Sequence, residues 1–490
     1  NRLKSEGLTD AGRNRLEGIP EPALPPNASL RFMNSRAAPS VEPTWQCILP
    51  VVARHVSLSV DVRTAVCSCR QPGMPEPVNA SSTIYCARWM LQPTGEIIPN
   101  GAVAVEGSTI VDVSTRSKVK RSSGSRMVNL GDMLLLPGLI NMHTHLEDGI
   151  LRGLSREPEE TFASWMAKKS TRLRQASLES IIPAVRLGIR ESIAHGVTTI
   201  VDSSRTGASL VVLKDEPVRS WVVQEVHEEG DAQPDVARRM LDARKRIVAD
   251  ARALRLGLGP YAIFSVSPSA QRSLLDIARA EECLWATHMA ESAEELQAFS
   301  EQKGDLYFQI TRRRPWDYGR ATMGPMHCAI SGELIPNGAA LFHCNYVNGH
   351  ELSLLSAKDV AVTVCPRYNE ELGHKRFPLD VALSRGITVC VGTESILEAG
   401  SAGIFDDLHC LRRQYPHIPA RELLRWATQN PARVLRAAGR LGELSPGAMA
   451  DIIGVSFAHD PSEDLLEELL VEDPSVRLVM VNGEEVVVDY

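Results

Sequence analysis

The sequence predicts an α/β fold: a (β/α)8 TIM-like barrel carrying a small β-sandwich domain built from segments on both sides of it. Three observations predict this. Short apolar runs of strand length alternate with helix-period segments about eight times through the middle of the chain, which is the pattern of a closed parallel barrel. Closely spaced strand signals, broken by turn residues, come before and after that region. Residues able to bind a metal follow the ends of several runs, where such a barrel exposes the C-terminal ends of its strands.

The elements follow in order. Residues 1–80 hold 10 of the 30 prolines and show no sustained period. They are read as a disordered extension, or as sequence upstream of a true start at Met74. Residues 82–90, 101–106 and 109–113 read as strands, with Asn100-Gly101 and Glu106-Gly107 as hairpin-like breaks. The barrel begins after Pro137. Residues 181–194 have helical period, and Gly196 follows as a C-cap. Strands are expected at 198–201, 221–226, 255–258, 285–289, 340–343, 360–365 and 387–392, with helices such as 235–252 and 269–280 between them. From Gly447 the chain returns to short strands, with Asn482-Gly483 as a hairpin turn. The expected organisation is therefore an extension at 1–80, a small β domain from 81–137 and 438–490, and a barrel at 138–437.

Composition narrows the function. The 490 residues are 43% hydrophobic and 23% charged, with a net charge of -7. That balance is ordinary for a soluble globular protein and points away from nucleic acid or an anionic membrane surface. No apolar run approaches the roughly 18 residues of a membrane span. The ten cysteines are scattered, and Cys365 and Cys390 lie in apolar runs, as free thiols do in a reducing cytoplasm.

The chemistry concentrates at strand ends. On a strand, residues two apart share a face, so His143 and His145 project together as half of a metal site. His288 and Glu291 follow the fifth run, His343 ends the sixth, and Glu394 follows the eighth. Three histidines and a carboxylate can converge on one divalent ion, leaving a histidine and a second carboxylate for proton transfer.

Seven motifs in order carry a resemblance. They are Leu136-Pro-Gly-Leu-Ile-Asn-Met-His-Thr-His145, Gly196-Val-Thr-Thr-Ile-Val-Asp202, Thr287-His-Met-Ala-Glu-Ser292, Phe342-His-Cys-Asn345, Val391-Gly-Thr-Glu-Ser395, Ala427-Thr-Gln-Asn-Pro-Ala432 and Gly442-Glu-Leu-Ser-Pro-Gly-Ala-Met-Ala-Asp451. Residues 80–490 resemble the amidohydrolase superfamily in its metal-dependent deaminase and chlorohydrolase branch. The resemblance implies metal ligation by His143, His145, His288 and Glu394. It implies proton transfer by Glu291, polarisation by His343, and substrate contacts from Tyr261 and His374. The implied reaction is hydrolytic deamination of an aminated heterocycle with release of ammonia, using one zinc or iron(II) ion. The implied partners are a small-molecule heterocyclic substrate and, where the chain self-associates, a homodimer. No lysine lies near the fourth strand end, so a carbamylated lysine bridging two metals is not expected.

Three positions depart from the family pattern. Glu394 stands where an aspartate is usual and has one more methylene. Tyr261 stands where a histidine is common, and Phe264 where a tyrosine is common. Competing readings are a chlorohydrolase, a cyclic-amide hydrolase, and a catalytically degraded barrel that only binds a ligand. Residues 165–173 carry no carboxylate where some relatives hold a ribose, which disfavours a nucleoside.

Overall fold

The computed structural model describes residues 82–227, 230–248, 254–319, 323–460, 464–472 and 474–486. The expected extension at 1–80, with Met74, lies outside the described residues.

The flanking segments build one mixed sheet. Its strands are β1 (Thr83–Leu91), β2 (Ile97–Glu106), β3 (Thr109–Thr115), β4 (Arg126–Asn129) and β5 (Leu134–Pro137). Eight barrel strands follow in the chain: β6 (Leu139–Thr144), β7 (Val197–Ser204), β8 (Arg219–Val226), β9 (Leu254–Pro260), β10 (Leu284–Met289), β11 (Ala340–His343), β12 (Ala361–Val364) and β13 (Thr388–Val391). The tail adds β14 (Ile452–Ser456), β15 (Ser475–Val481) and β16 (Glu484–Glu485) to the flanking sheet.

That sheet runs β16-β15-β14-β5-β1-β2-β3, with β4 also beside β1. Early and late segments meet where β14 pairs antiparallel with β5. Strand alternation gives it two apolar faces. Tyr85, Val103, Ile110, Leu135 and Met480 pack on one, and Ile84, Cys86, Ala102 and Val119 on the other. Asn482 and Gly483 both take left-handed backbone and join β15 to β16, as two-residue hairpins require. Asn100-Gly101 differs from expectation, because it lies inside β2 and the hairpin turn falls earlier, at 92–96. The Asn-Gly signal marks a left-handed kink at Asn100 and a close approach at Gly101. A Cβ there would stand 2.3 Å from that of Met90.

The barrel strands pair in parallel and in chain order from β6 to β13. Helices follow them as the sequence predicts. Leu178–Ala194 starts at Ser177, whose hydroxyl accepts the Ser180 N–H. It buries Ile181, Val185, Ile189 and Ile193, spaced four apart, and stops at Gly196 in the left-handed conformation. His195 closes this helix, its ring contacting the Glu191 carbonyl at 2.7 Å.

The closing seam between β6 and β13 positions the site. Thr393 and Glu394 both donate their N–H to the His143 carbonyl, at 2.9 and 3.1 Å, and His145 donates to the Glu394 carbonyl at 2.6 Å. The buried Asn141 amide clamps the same seam. It donates to the Thr393 hydroxyl at 2.9 Å and accepts the Thr393 N–H at 3.2 Å. On the other side of β6, its register with β7 slips between Asn141 and Thr144, a bulge of the kind that re-aims side chains beside active sites.

Gly392 permits this approach, since a Cβ there would stand 2.8 Å from the His143 Cβ and carbonyl oxygen. Gly392→Ala should therefore force the seam apart and cost about 1–3 kcal/mol. Urea unfolding of both proteins measures this, and equal midpoints with equal slopes would contradict it.

Candidate active site

Eight expected site residues can be located against this frame. His143 and His145 project from the end of β6, His288 from β10, and Glu394 from just past β13. The Nε2 atoms of His143 and His145 stand 3.2 and 3.3 Å from that of His288. The Glu394 carboxylate lies 2.5 Å from His143 Nε2, 3.2 Å from His145 Nε2 and 3.6 Å from His288 Nε2. Its extra methylene therefore does not carry the carboxylate away from the histidines. Glu394 has a left-handed φ of 59°, an uncommon conformation held here by the seam hydrogen bonds.

This donor set fits a divalent ion. Tetrahedral zinc–nitrogen bonds of about 2.0–2.1 Å place ligand nitrogens roughly 3.3–3.4 Å apart, close to the spacing of these imidazoles. The outer contacts also suit ligation. His288 Nδ1 sits 2.6 Å from the Tyr261 carbonyl, so that nitrogen carries the proton and leaves Nε2 as a donor atom. Burial, only partly offset by Glu394, pushes His143 down to about 3, whereas burial is outweighed at His145 and His288, which the Glu225 and Glu394 carboxylates raise; a bound cation would displace those protons. Burial would raise the Glu394 carboxyl, but His143, His145 and His288 together hold it well below the usual range.

Glu291 and His343 lie beside this cluster and are fully buried. His343 Nε2 is 3.2 Å from the Glu394 carboxylate and 3.9 Å from that of Glu291, so it stands between the two acids. His343 and Cys344 both have positive φ, which turns the chain sharply at the end of β11. Tyr261 packs its ring between His227 and His288, at 4.7 and 4.5 Å, and lines the main cavity. Phe264 lines it too. His374 stands 3.8 Å from the Glu291 carboxylate, packs edge-on against the Phe162 ring at 5.2 Å, and lines a separate cavity of about 250 Å³.

The main cavity has a volume of about 660 Å³, within the range of small-molecule sites. His145, Glu225, Tyr261 and Glu394 line its inner end, and Phe162, Met166 and Ile310 its apolar walls. Asp148 and Glu398 clasp Lys169 at 2.8 Å each, tying helix Phe162–Gln175 to the loops after β6 and β13. A carboxylate therefore does stand at the wall formed by residues 165–173. It comes from Asp148, which is far from that stretch in sequence.

Other site groups were not singled out from the sequence. Glu225, near the end of β8, lies 3.9 Å from His145 Nδ1, 3.7 Å from His288 Nδ1 and 3.1 Å from His227. Burial would raise its carboxyl, but these histidines bring it down to about 2. Its signal was a carboxylate at a strand end within an apolar run. Tyr368 donates its hydroxyl to Glu291 Oε1 at 2.7 Å. The Cys365 sulfur lies within 4.8 Å of His343 and Glu394. Burial raises that thiol well above its ordinary range, so it stays protonated. Asp202 accepts the Leu146 N–H at 2.8 Å, a structural role that holds the turn after His145.

Residues 134–486 match the model of the Amidohydrolase family. The chain belongs to the amidohydrolase family. Among curated relatives, the 5-methylthioadenosine/S-adenosylhomocysteine deaminase of Halothermothrix orenii is 26% identical over 415 residues, covering 80% of this chain and 90% of that protein. Among solved structures, the Helicobacter pylori aminofutalosine deaminase with methylthio-coformycin aligns with a TM-score of 0.71 at 20% identity, covering 83% of this chain and 100% of that one. The zinc complex of the atrazine chlorohydrolase TrzN from Arthrobacter aurescens TC1 aligns with a TM-score of 0.70 at 21% identity, covering 83% and 95%. Both structures share the barrel fold. This amidohydrolase is an enzyme of the aminohydrolase class, and hydrolytic deamination of an aminated heterocycle is the reaction its family and curated relatives support. Among the described residues, no helix is long and apolar enough to cross a membrane.

Glu295 gives the site a pH-dependent stability. It accepts the N–H groups of Ala290 and Glu291 at 3.0 and 2.8 Å, yet burial raises its carboxyl to about 7. The folded chain then keeps a proton that the unfolded chain releases near pH 4.5. Stability from this group is lost as pH rises from about 4.5 to about 7, on the order of 3 kcal/mol in all. The stability of wild type relative to Glu295→Gln should fall across that window in denaturant titrations; a constant difference would contradict the assignment.

Proposed function

We propose that the chain hydrolytically deaminates an aminated purine nucleoside, with one zinc or iron(II) ion held by His143, His145, His288 and Glu394. The observation that carries this reading is the convergence of those four side chains, whose ligand atoms all lie within 4.8 Å of one another. A nucleoside suits the cavity volume, and the relative from Halothermothrix orenii is named for adenine nucleosides. Asp148 at the cavity wall supplies the kind of acceptor that a sugar hydroxyl needs.

A divalent ion in this site supplies a water of lowered pKa as nucleophile at neutral pH. Glu394, ionised among the imidazoles, accepts the proton that the attacking water gives up. His343 stands between Glu394 and Glu291 and polarises the reacting centre from that side. Glu291 gives a proton to a ring nitrogen as the water oxygen joins the carbon bearing the amino group. The amino group then takes the proton held by Glu394 and leaves as ammonia; the remaining hydroxyl proton passes to Glu291, and the ring keeps a carbonyl oxygen. The apolar walls at Phe162, Met166 and Ile310 hold the base and limit water.

Ammonia release from adenosine, 5-methylthioadenosine, cytosine and guanine, using protein loaded with zinc or iron(II), tests this. Release is expected from the adenine nucleosides, lost on chelation and restored by metal. Glu291→Gln should lower kcat by about 10²- to 10⁴-fold. A folded, metal-loaded protein inert on both nucleosides would overturn the proposal.

A further inference from the structure

Glu291 is held from three sides. Its N–H donates to Glu295 at 2.8 Å. Its carbonyl accepts from the Asn345 amide at 3.0 Å, and Asn345 and Asn369 exchange amide hydrogen bonds at 3.0 and 3.1 Å. The Tyr368 hydroxyl donates to Oε1 of its carboxylate at 2.7 Å. Tyr368 is fully buried, and its ring lies 5.3 Å from that of His343. Glu291 Oε2 is buried as well and has no protein partner.

We propose that Tyr368 is a positioning residue that fixes which oxygen of Glu291 carries the transferable proton. The inference rests on the proton-transfer role given to Glu291 above. Oε1 already receives the Tyr368 hydrogen, so a proton on Glu291 resides on Oε2. The tyrosine keeps its own proton throughout, since burial and the neighbouring carboxylates raise its hydroxyl well above its ordinary range. No bond to Tyr368 breaks in the cycle. Without the hydroxyl, both oxygens would compete for the proton, and the carboxylate would face only the imidazoles of His343 and His374, at 3.9 and 3.8 Å. The other titratable groups near Glu291 are Glu295, which engages its backbone, and His288, Tyr261 and Cys365.

Tyr368→Phe removes only the hydroxyl and keeps the buried ring. In the metal-loaded enzyme on an adenine nucleoside, kcat should fall about 10- to 100-fold, the range for a hydrogen bond to a charged group, with KM changed less than about threefold. A second readout needs no turnover. At fixed pH, the carboxylate infrared bands assigned to Glu291 by difference against Glu291→Gln should shift in Tyr368→Phe, as loss of the hydrogen bond to Oε1 requires. Unchanged bands and unchanged kcat overturn the proposal, as does a loss confined to metal content or melting temperature. If Glu291→Gln itself retains full activity, the role of Glu291 fails instead. If Glu291→Gln is inert while Tyr368→Phe matches wild type, only the inference about Tyr368 fails.

Discussion

The hydrogen-bonded seam between β6 and β13 is the constraint on which the site depends. His143 and Glu394 come from opposite ends of the barrel sequence, and their backbones bond directly where the barrel closes. Barrel closure and assembly of the donor set are therefore one event. Gly392 allows the two chains to approach, the Asn141 amide locks Thr393, and the left-handed turn at Glu394 directs its longer side chain back among the imidazoles. β7 flanks β6 on its other side, but its carboxylate, Asp202, is turned to the Leu146 N–H and not to the imidazoles.

Electrostatics complete what the seam begins. Buried ionisable groups are costly unless paired, and this interior pairs them in layers. Glu394 faces three imidazoles on one side of the cluster, and Glu225 faces the Nδ1 edges of His145 and His288 on the other. Beyond His343, one oxygen of the second acid, Glu291, accepts from Tyr368, and its backbone carbonyl accepts from Asn345, which is braced by Asn369. The proposed proton-transfer group and the proposed metal ligands thus stand in adjoining compartments, joined by one histidine.

Much of this was legible in the sequence. The barrel strands were, because apolar runs of strand length alternating with helical periods have few other solutions. The His143-x-His145 spacing worked because strand alternation fixes a common face. Asn482-Gly483 was read correctly as a hairpin turn, whereas Asn100-Gly101 was not. The same dipeptide can signal left-handed backbone within a strand, and only the pairing of β1 with β2 distinguishes the two. Tyr368 and Glu225 escaped because their roles rest on contacts to side chains from other strands. His374 was assigned to the substrate wall from its loop alone; the fold brings it against both Glu291 and Phe162. The absence of a carboxylate in residues 165–173 does not decide whether that wall carries one, since Asp148 reaches the helix from the preceding segment.

The central claim is that the seam delivers Glu394, despite its extra methylene, as a fourth ligand beside three histidines. A crystal structure of the zinc-loaded protein tests it most directly. The account predicts one ion bound by Nε2 of His143, His145 and His288 and by a Glu394 carboxylate oxygen, with bond lengths of about 2.0–2.2 Å. An ion held by the histidines with Glu394 turned away, or bound elsewhere in the cavity, would contradict it.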